Sequence, residues 1–266
     1  MSLDPKVEAA KLAKMYKEDP RQATFNLLVT SESGMGKTFM MRTARKPVHI
    51  DSFDPGGTKG LRDWIKKGEV IPDTQYENED PMKPTAFASW KANFEARERG
   101  GYFDHIGTYV LDSATTWSDA IMNNILKLAG IPGQSPRYTK DWTPQKIEIR
   151  NYIKRMLNLP CDFVLNGHLK MNTDGEESVK FRFMTTGQGM LTIPLLFDEL
   201  YVLSTKETAS GVTFRLLTKP TGKYLARSRL AADGIFDTYE TPDIKHLLKK
   251  AGLPTDDKPL LTGGAE

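Results

Sequence analysis

Leu27-Leu28-Val29-Thr30-Ser31-Glu32-Ser33-Gly34-Met35-Gly36-Lys37-Thr38 decides how the rest of this 266-residue chain is read. An apolar run ends in a loop of small residues, Gly36-Lys37-Thr38 comes next, and a helical pattern opens at Phe39. Strand, glycine loop and helix in that order build a P-loop, whose backbone N–H groups wrap the phosphates of a nucleotide. In that reading Ser33, Gly34, Met35, Gly36, Lys37, Thr38 and Phe39 contact the nucleotide. Lys37 reaches the β- and γ-phosphates, and the Thr38 hydroxyl ligates Mg²⁺. Ser31 stands where G-x-x-x-x-G-K-[ST] has its first glycine. Serine lacks glycine's freedom at positive φ, so the loop entry is expected in ordinary backbone.

Outward from this loop, buried strands are expected at 24–30, 47–51, 109–112 and 161–166. The intervening helices are expected over 37–45, 61–67, 85–99, 115–128 and from Pro144, capped by Thr143. Strands alternating with helices imply a parallel sheet covered on both faces. Ligands of such sheets bind at the carboxyl ends of the strands, where the loop, Asp51, Asp112 and Asn166 all fall. Residues 72–84 and 130–144 read as long loops. After Gly167 shorter alternating runs, Lys180–Phe183, Leu200–Leu203 and Val212–Leu217, suggest antiparallel strands. A helical extension over 1–20, a core over 21–240, and a helix with a polar tail over 241–266 complete the expected organisation.

A nucleotide site needs an acid near the Mg²⁺ water shell, at the end of a strand neighbouring the loop strand. Thr108-Tyr109-Val110-Leu111-Asp112 supplies one about 75 residues beyond the loop, with Asp112 also able to cap the next helix. No glutamate succeeds it. A group must also orient the attacking water. Asp54, on the Pro55-Gly56-Gly57 turn, is the first choice and Asp51 the second; Asp54 could equally be a plain turn former. His168, after the strand ending at Asn166, is a candidate γ-phosphate sensor or a simple turn histidine. Lys37, Asp54, Asp112 and His168 form the candidate catalytic set, with Thr38 and Asp112 the Mg²⁺ ligands. The four histidines and Cys161 show no metal-ligand spacing with one another.

The apolar fraction of 39% and charged fraction of 27% suit a globular chain. No apolar run approaches the ~18 residues that a membrane span requires, and early charges break any signal-peptide pattern. The single cysteine, Cys161, excludes an internal disulfide framework and reads as a buried thiol. The net charge of +3 does not by itself imply nucleic-acid binding. The basic residues are concentrated, however: from Arg215 to Lys250 eight Lys/Arg face four acids.

In their shared order these pieces resemble the phage-encoded RecA-like nucleotide-binding proteins, in particular the single-strand annealing ATPases with a minimal RecA core. The resemblance covers residues 22–235. It rests on Ser33–Thr38, Ile50–Gly57, Val110–Thr115, Asp141-Trp142, Asn166–Lys170, Phe197–Leu200, Thr218-Lys219-Pro220 and Lys223, Arg227 and Arg229. It implies a three-layer α/β RecA-like core that binds ATP with Mg²⁺ and binds single-stranded DNA. It further implies a homo-oligomeric ring or filament, a role in phage recombination beside a recombination or single-strand-binding protein, and the host cytoplasm as the compartment. Phe53 stands near the position of the RecA catalytic glutamate, which implies slow hydrolysis with Asp54 standing in.

Lys180-Phe181-Arg182-Phe183 alternates cations with aromatics, as single-strand binders do, or as an amphipathic strand does with its Phe rings in the core. Lys170, Lys180 and Arg182 are the DNA candidates. Gly187–Met190 is a further candidate DNA loop, and Arg137, Tyr138, Lys140 and Trp142 a second basic-aromatic cluster. Lys223, Arg227 and Arg229 are candidates to reach a neighbour's γ-phosphate, or else part of a solvated basic face. Two other readings stay open: an ATP-switched assembly module with negligible turnover, and a DNA-packaging or helicase-loading motor.

Overall fold

The computed structural model describes residues 3–172, 180–183, 192–209, 211–230 and 234–261. Six strands form a parallel sheet, here labelled β1 (Asn26–Ser31), β2 (Val48–Ser52), β3 (Val70–Asp73), β4 (Thr108–Asp112), β5 (Asp162–Asn172) and β7 (Glu199–Thr208). Their order is β3-β2-β4-β5-β1-β7. Beyond β7, β8 (Gly211–Leu217) and β10 (Tyr239–Glu240) extend the sheet antiparallel. β6 (Lys180–Phe183) pairs with β5, and β9 (Arg227–Ser228) with β7.

Continuous apolar runs make the central strands, because both faces of the sheet are covered. Alternate residues sort between two cores. Leu28, Tyr109, Leu111, Phe163 and Leu165 pack with Trp90, Trp117 and Tyr152 from α4 (Ala86–Arg99), α5 (Ala114–Leu128) and α6 (Tyr138–Met156). Leu27, Val29, Ile50, Val110 and Val164 pack on the other face with α2 (Lys37–Met40), α3 (Arg62–Lys66) and α7 (Ile244–Lys250). The result is the expected three-layer α/β core. Helix α1 (Pro5–Glu18), capped by Asp4, buries none of its residues.

Several local expectations are corrected. Leu200–Leu203 is not in an antiparallel strand pair alone: β7 lies parallel beside β1, with Val29 opposite Tyr201. Periodicity cannot say which neighbour an apolar run will choose. Helix α6 begins at Tyr138, not Pro144, which lies inside it. Asp141 accepts a bond from the Arg137 N–H at 2.6 Å and from its guanidinium at 2.9 Å, closing a first turn that the proline alone would not predict. α2 ends at Met40 and passes into a 3₁₀ turn over Met41–Thr43, where the Thr43 hydroxyl bonds back to the Met40 carbonyl at 2.7 Å. The expected loop at 72–84 opens with the end of β3. The C-terminal tail is laced to the amino edge of the sheet: Asp257 accepts from Lys46 N–H, and Lys258 Nζ donates to Ile106 O, both at 2.7 Å.

Candidate nucleotide site

The loop leaving β1 turns through Gly34 and Gly36, at φ of 78° and 85°. A Cβ at either would meet no atom within 4 Å, so these glycines are there for backbone conformation and border open space. Among described residues no non-glycine has positive φ, and Ser31 ends β1 in ordinary backbone as its side chain requires. Its hydroxyl also has a use. Ser31 Oγ accepts a bond from Lys37 Nζ at 2.8 Å and donates to the Glu32 carbonyl at 2.7 Å. Lys37 is buried, which pulls its pKa down, while the charges of Asp112 and Asp54 push it back up.

Asp112 ends β4, and Thr38 Oγ1 donates to its Oδ2 at 2.5 Å. The expectation that the Asp112 strand neighbours the loop strand is corrected: β5 lies between β4 and β1, carrying Asn166 level with Asp112. Ser113, not Asp112, is the N-cap position of α5. Burial raises the Asp112 pKa, the Thr38 hydroxyl lowers it, and the nearby Asp54 charge raises it again. Asn166 is fully buried level with Asp112, and its amide also acts to lower the Asp112 pKa without making a well-formed hydrogen bond.

Asp54 projects to the same edge. Its Oδ1 accepts from Ser113 Oγ at 3.0 Å and Thr116 Oγ1 at 2.5 Å, and its Oδ2 lies 3.6 Å from His168 Nε2. Burial works to raise its pKa, but the bonds from His168, Thr116 and Ser113 prevail and hold it below the ordinary carboxylate value. Asp54 is therefore ionised at neutral pH and suited to orienting a water more than to removing its proton. Asp51, the second choice, points into the α4 core instead. It accepts from Trp90 at 2.8 Å, Tyr109 at 2.6 Å and Arg97 at 2.9 Å, and lies 2.9 Å from His49 Nε2. With its lone pairs filled and no exposure, it is a structural carboxylate. The split follows from position: Asp51 lies within β2 and faces the α4 side, whereas Asp54 lies on the turn beyond the strand's end.

Phe53 stacks on Tyr76 in the core, 5.2 Å between centroids. Glu77, which no sequence motif singles out, clamps the loop that carries Asp54. Its carboxylate accepts from Ser52 Oγ at 2.7 Å and Gly56 N–H at 2.9 Å. It lies in an acidic loop with no local pattern, so only the tertiary approach reveals it.

The residues fit a Mg²⁺–triphosphate. The loop borders open space, a buried lysine and the buried Asn166 amide flank it, and one hydroxyl–carboxylate pair closes it. Mg²⁺ takes few protein ligands and completes its shell with water and phosphate oxygens, so Thr38 and Asp112 would suffice to hold it. Among the described residues no cluster of three metal-ligating side chains offers another metal site.

The remaining candidates lie outside this edge. Lys170 is exposed on the β5–β6 hairpin, directly opposite Arg182, while Lys180 lies opposite Asn172. That register puts positions 170, 180 and 182 on one face. Phe183 is buried against Gly167. Gly187–Met190 lies outside the described residues. Arg137 is tied to Asp141, and Tyr138 stands exposed beside it. Arg227 sits on β9 at the amino edge of the sheet and donates to the carbonyls of Pro194 and Phe197, at 2.9 and 2.7 Å. Arg229 pairs with Asp198 at 2.8 Å, and Lys223 is exposed. Cys161 is buried as expected. No helix among the described residues is long and apolar enough to cross a membrane.

No curated protein matches the sequence. Several solved structures are similar in fold at low identity. A KaiC-like protein from the archaeon Pyrococcus horikoshii is 11% identical over 73% of this chain and 77% of its own, with a TM-score of 0.39. The flagellar accessory protein FlaH from Methanocaldococcus jannaschii is 12% identical over 81% and 83%, with a TM-score of 0.44. An ATPase of the type III secretion system of pathogenic bacteria is 13% identical over 78% of this chain and 58% of its own, with a TM-score of 0.48. Residues 24–230, from the entry to β1 through β9 and so across the whole loop-and-acid constellation, match the family described as AAA domain (AAA_24). The chain belongs to the AAA domain family of P-loop ATPases.

Proposed function

We propose that this chain is a Mg²⁺-dependent ATPase that binds single-stranded DNA, works as a homo-oligomer, and serves phage DNA recombination or strand annealing. The observation that carries the ATPase reading is the closure of Lys37, Thr38 and Asp112 around one glycine loop. Mg²⁺ bound there supplies charge neutralisation for the β- and γ-phosphates. Lys37 holds those phosphates, Asp54 orients water, and His168 faces Asp54 from β5, across the end of β4.

The DNA reading is favoured by the course of β5 beyond His168. That residue is the last on β5 to pair with β1, opposite Ser31, and Leu169 begins the pairing with β6. The hairpin bearing Lys170 and Arg182 therefore grows directly from the residue beside Asp54. A change at the γ-phosphate end is two residues away from Lys170, the first cation of the proposed single-strand platform. Of the three cations considered for a neighbour's phosphate, Lys223 is the one left exposed without an internal role, and it is the one we assign to that contact. Lys37→Ala should abolish ATP binding. Single-stranded DNA should raise phosphate release by the wild type, and Lys223→Ala should lower turnover without weakening ATP binding to the monomer. No stimulation by any single-stranded DNA would remove the DNA part of the reading.

The absence of a glutamate beside Asp112 favours a second reading, ATP as an assembly switch with negligible turnover. Sedimentation with ATP and with a non-hydrolysable analogue separates the two, because a switch assembles equally in both.

A further inference from the structure

Asp54 reaches the nucleotide edge on a tight turn. Its carbonyl accepts the Gly57 N–H at 2.9 Å across Pro55 and Gly56, and Gly56 sits at φ 72° and ψ 12°, the left-handed position of a type II turn. That bond leaves the Gly56 N–H to be satisfied from outside the turn. Glu77 satisfies it. One carboxylate oxygen accepts from Gly56 N–H at 2.9 Å, and the other accepts from Ser52 Oγ at 2.7 Å. The two bonds bracket Asp54, one at the last residue of β2 and one just past the aspartate on the turn.

The segment that delivers Glu77 is itself fixed. Tyr76 is buried and stacks on Phe53, the residue before Asp54. Its hydroxyl donates to Asp73 at 2.9 Å and accepts from Asn93 Nδ2 at 2.9 Å. Further along, Glu79 accepts from the N–H groups of Thr85 and Ala86 at 3.1 and 2.9 Å, which ties the stretch to the start of α4. Carboxylates of an acidic loop ordinarily face solvent; here Glu77 and Glu79 turn to backbone donors instead. The Asp54 side chain has its own partners in Ser113, Thr116 and His168. They fix the direction of its carboxylate only while the turn beneath it holds still.

We propose that Glu77 is a positioning residue for ATP hydrolysis: it holds the turn so that Asp54 meets the attacking water at the γ-phosphate end. The inference rests on the reading of Asp54 as the group that orients that water. Both Glu77 oxygens are aimed at donors of the turn, so Glu77 acts through Asp54 and does not itself touch the water. Orientation is exacting, because a misplacement of about 1 Å can cost a reaction ~100-fold. Glutamine can stand in for this carboxylate. Its carbonyl accepts from Gly56 N–H and its amino group donates to Ser52 Oγ, whose own proton turns to the Asp54 carbonyl, 3.5 Å away. Alanine can do neither.

The test measures Mg²⁺–ATP affinity and single-turnover hydrolysis for the full chain. The variants are Glu77→Ala, Glu77→Gln, Ser52→Ala, Asp54→Asn, and Glu77→Ala combined with Asp54→Asn. Glu77→Ala should lower the hydrolysis rate by about 10–100-fold, with ATP affinity within about threefold of the wild type. Glu77→Gln should keep the rate within about fivefold of the wild type, because both bonds can be remade. Adding Glu77→Ala to Asp54→Asn should cost little beyond Asp54→Asn alone, since the clamp acts through that carboxylate. A wild-type rate in Glu77→Ala, a loss in Glu77→Gln as large as in Glu77→Ala, or full additivity in the double variant overturns the proposal. So does a loss of affinity that matches the loss of rate. If Glu77→Ala does not fold, Ser52→Ala decides, because it removes one of the two bonds. Slower hydrolysis at unchanged affinity then supports the clamp, and an unchanged rate overturns it. A wild-type rate in Asp54→Asn, or no hydrolysis by the wild type, instead sinks the reading of Asp54 on which the proposal rests.

Discussion

Replacing Asp112 with asparagine separates the metal role of this residue from its role in the fold. In this structure the carboxylate accepts from Thr38 at 2.5 Å, a charge-assisted bond worth about 1.5–3 kcal/mol. Against that stand its burial and the neighbouring Asp54 charge, which together raise its pKa. A carboxyl whose folded pKa lies above its unfolded value costs stability as pH rises through that interval, and most above it. At pH 7 the two effects oppose each other, so Asp112→Asn should leave the melting temperature of the metal-free protein little changed or slightly higher. Ligand binding should respond quite differently. At 100 times its Kd, Mg²⁺–ATP stabilises the wild type by ~2.7 kcal/mol, a rise of roughly 5–10 °C for a chain of this size. If the asparagine loses a hundredfold in affinity, the same concentration stabilises it by only ~0.4 kcal/mol. Thermal melts with ATP in Mg²⁺ and in EDTA read this out. An undiminished Mg²⁺-dependent shift in the variant refutes the assignment of Asp112 as metal ligand.

Asp51→Asn should act on stability instead, because Arg97 loses one of its two carboxylate partners, keeping Asp73, and Trp90 and Tyr109 lose a charged buried acceptor. A loss of about 3 kcal/mol in urea denaturation is expected, and nucleotide affinity measured on the folded fraction should not change. Asp54→Asn should lower kcat by roughly 10²–10⁴-fold at constant ATP affinity, checked by single-turnover hydrolysis. Because the Asp54 pKa is depressed, it stays charged down to acidic pH. Its contribution to stability is therefore present above its unfolded pKa and lost only as pH falls through the lower folded value; an Asp54-dependent fall in stability near neutral pH would contradict this. Substituting Lys170, Lys180 and Arg182 together by alanine should reduce the slope of log K against log salt for single-stranded DNA by about 2. An unchanged slope would place the DNA elsewhere.

The primary sequence by itself determined the parts of this protein whose chemistry is local. A glycine loop between an apolar strand and a helix can cradle phosphate wherever it occurs, so Gly34 to Thr38 were legible before any fold was known. Short, unbroken apolar runs announced a sheet buried on both faces, and the aspartate ending one of them marked its functional edge. The tertiary structure decided what depends on neighbours far along the chain. It inserted β5 between the loop strand and the Asp112 strand, and turned β7 parallel to β1. It also turned Asp51 into the core and brought Asp54 beside Ser113 and Thr116, because Asp51 lies within β2 facing α4 whereas Asp54 lies on the turn beyond the strand's end. Glu77 carried no signal in sequence, because a carboxylate in an acidic loop acquires meaning only from what the fold brings against it.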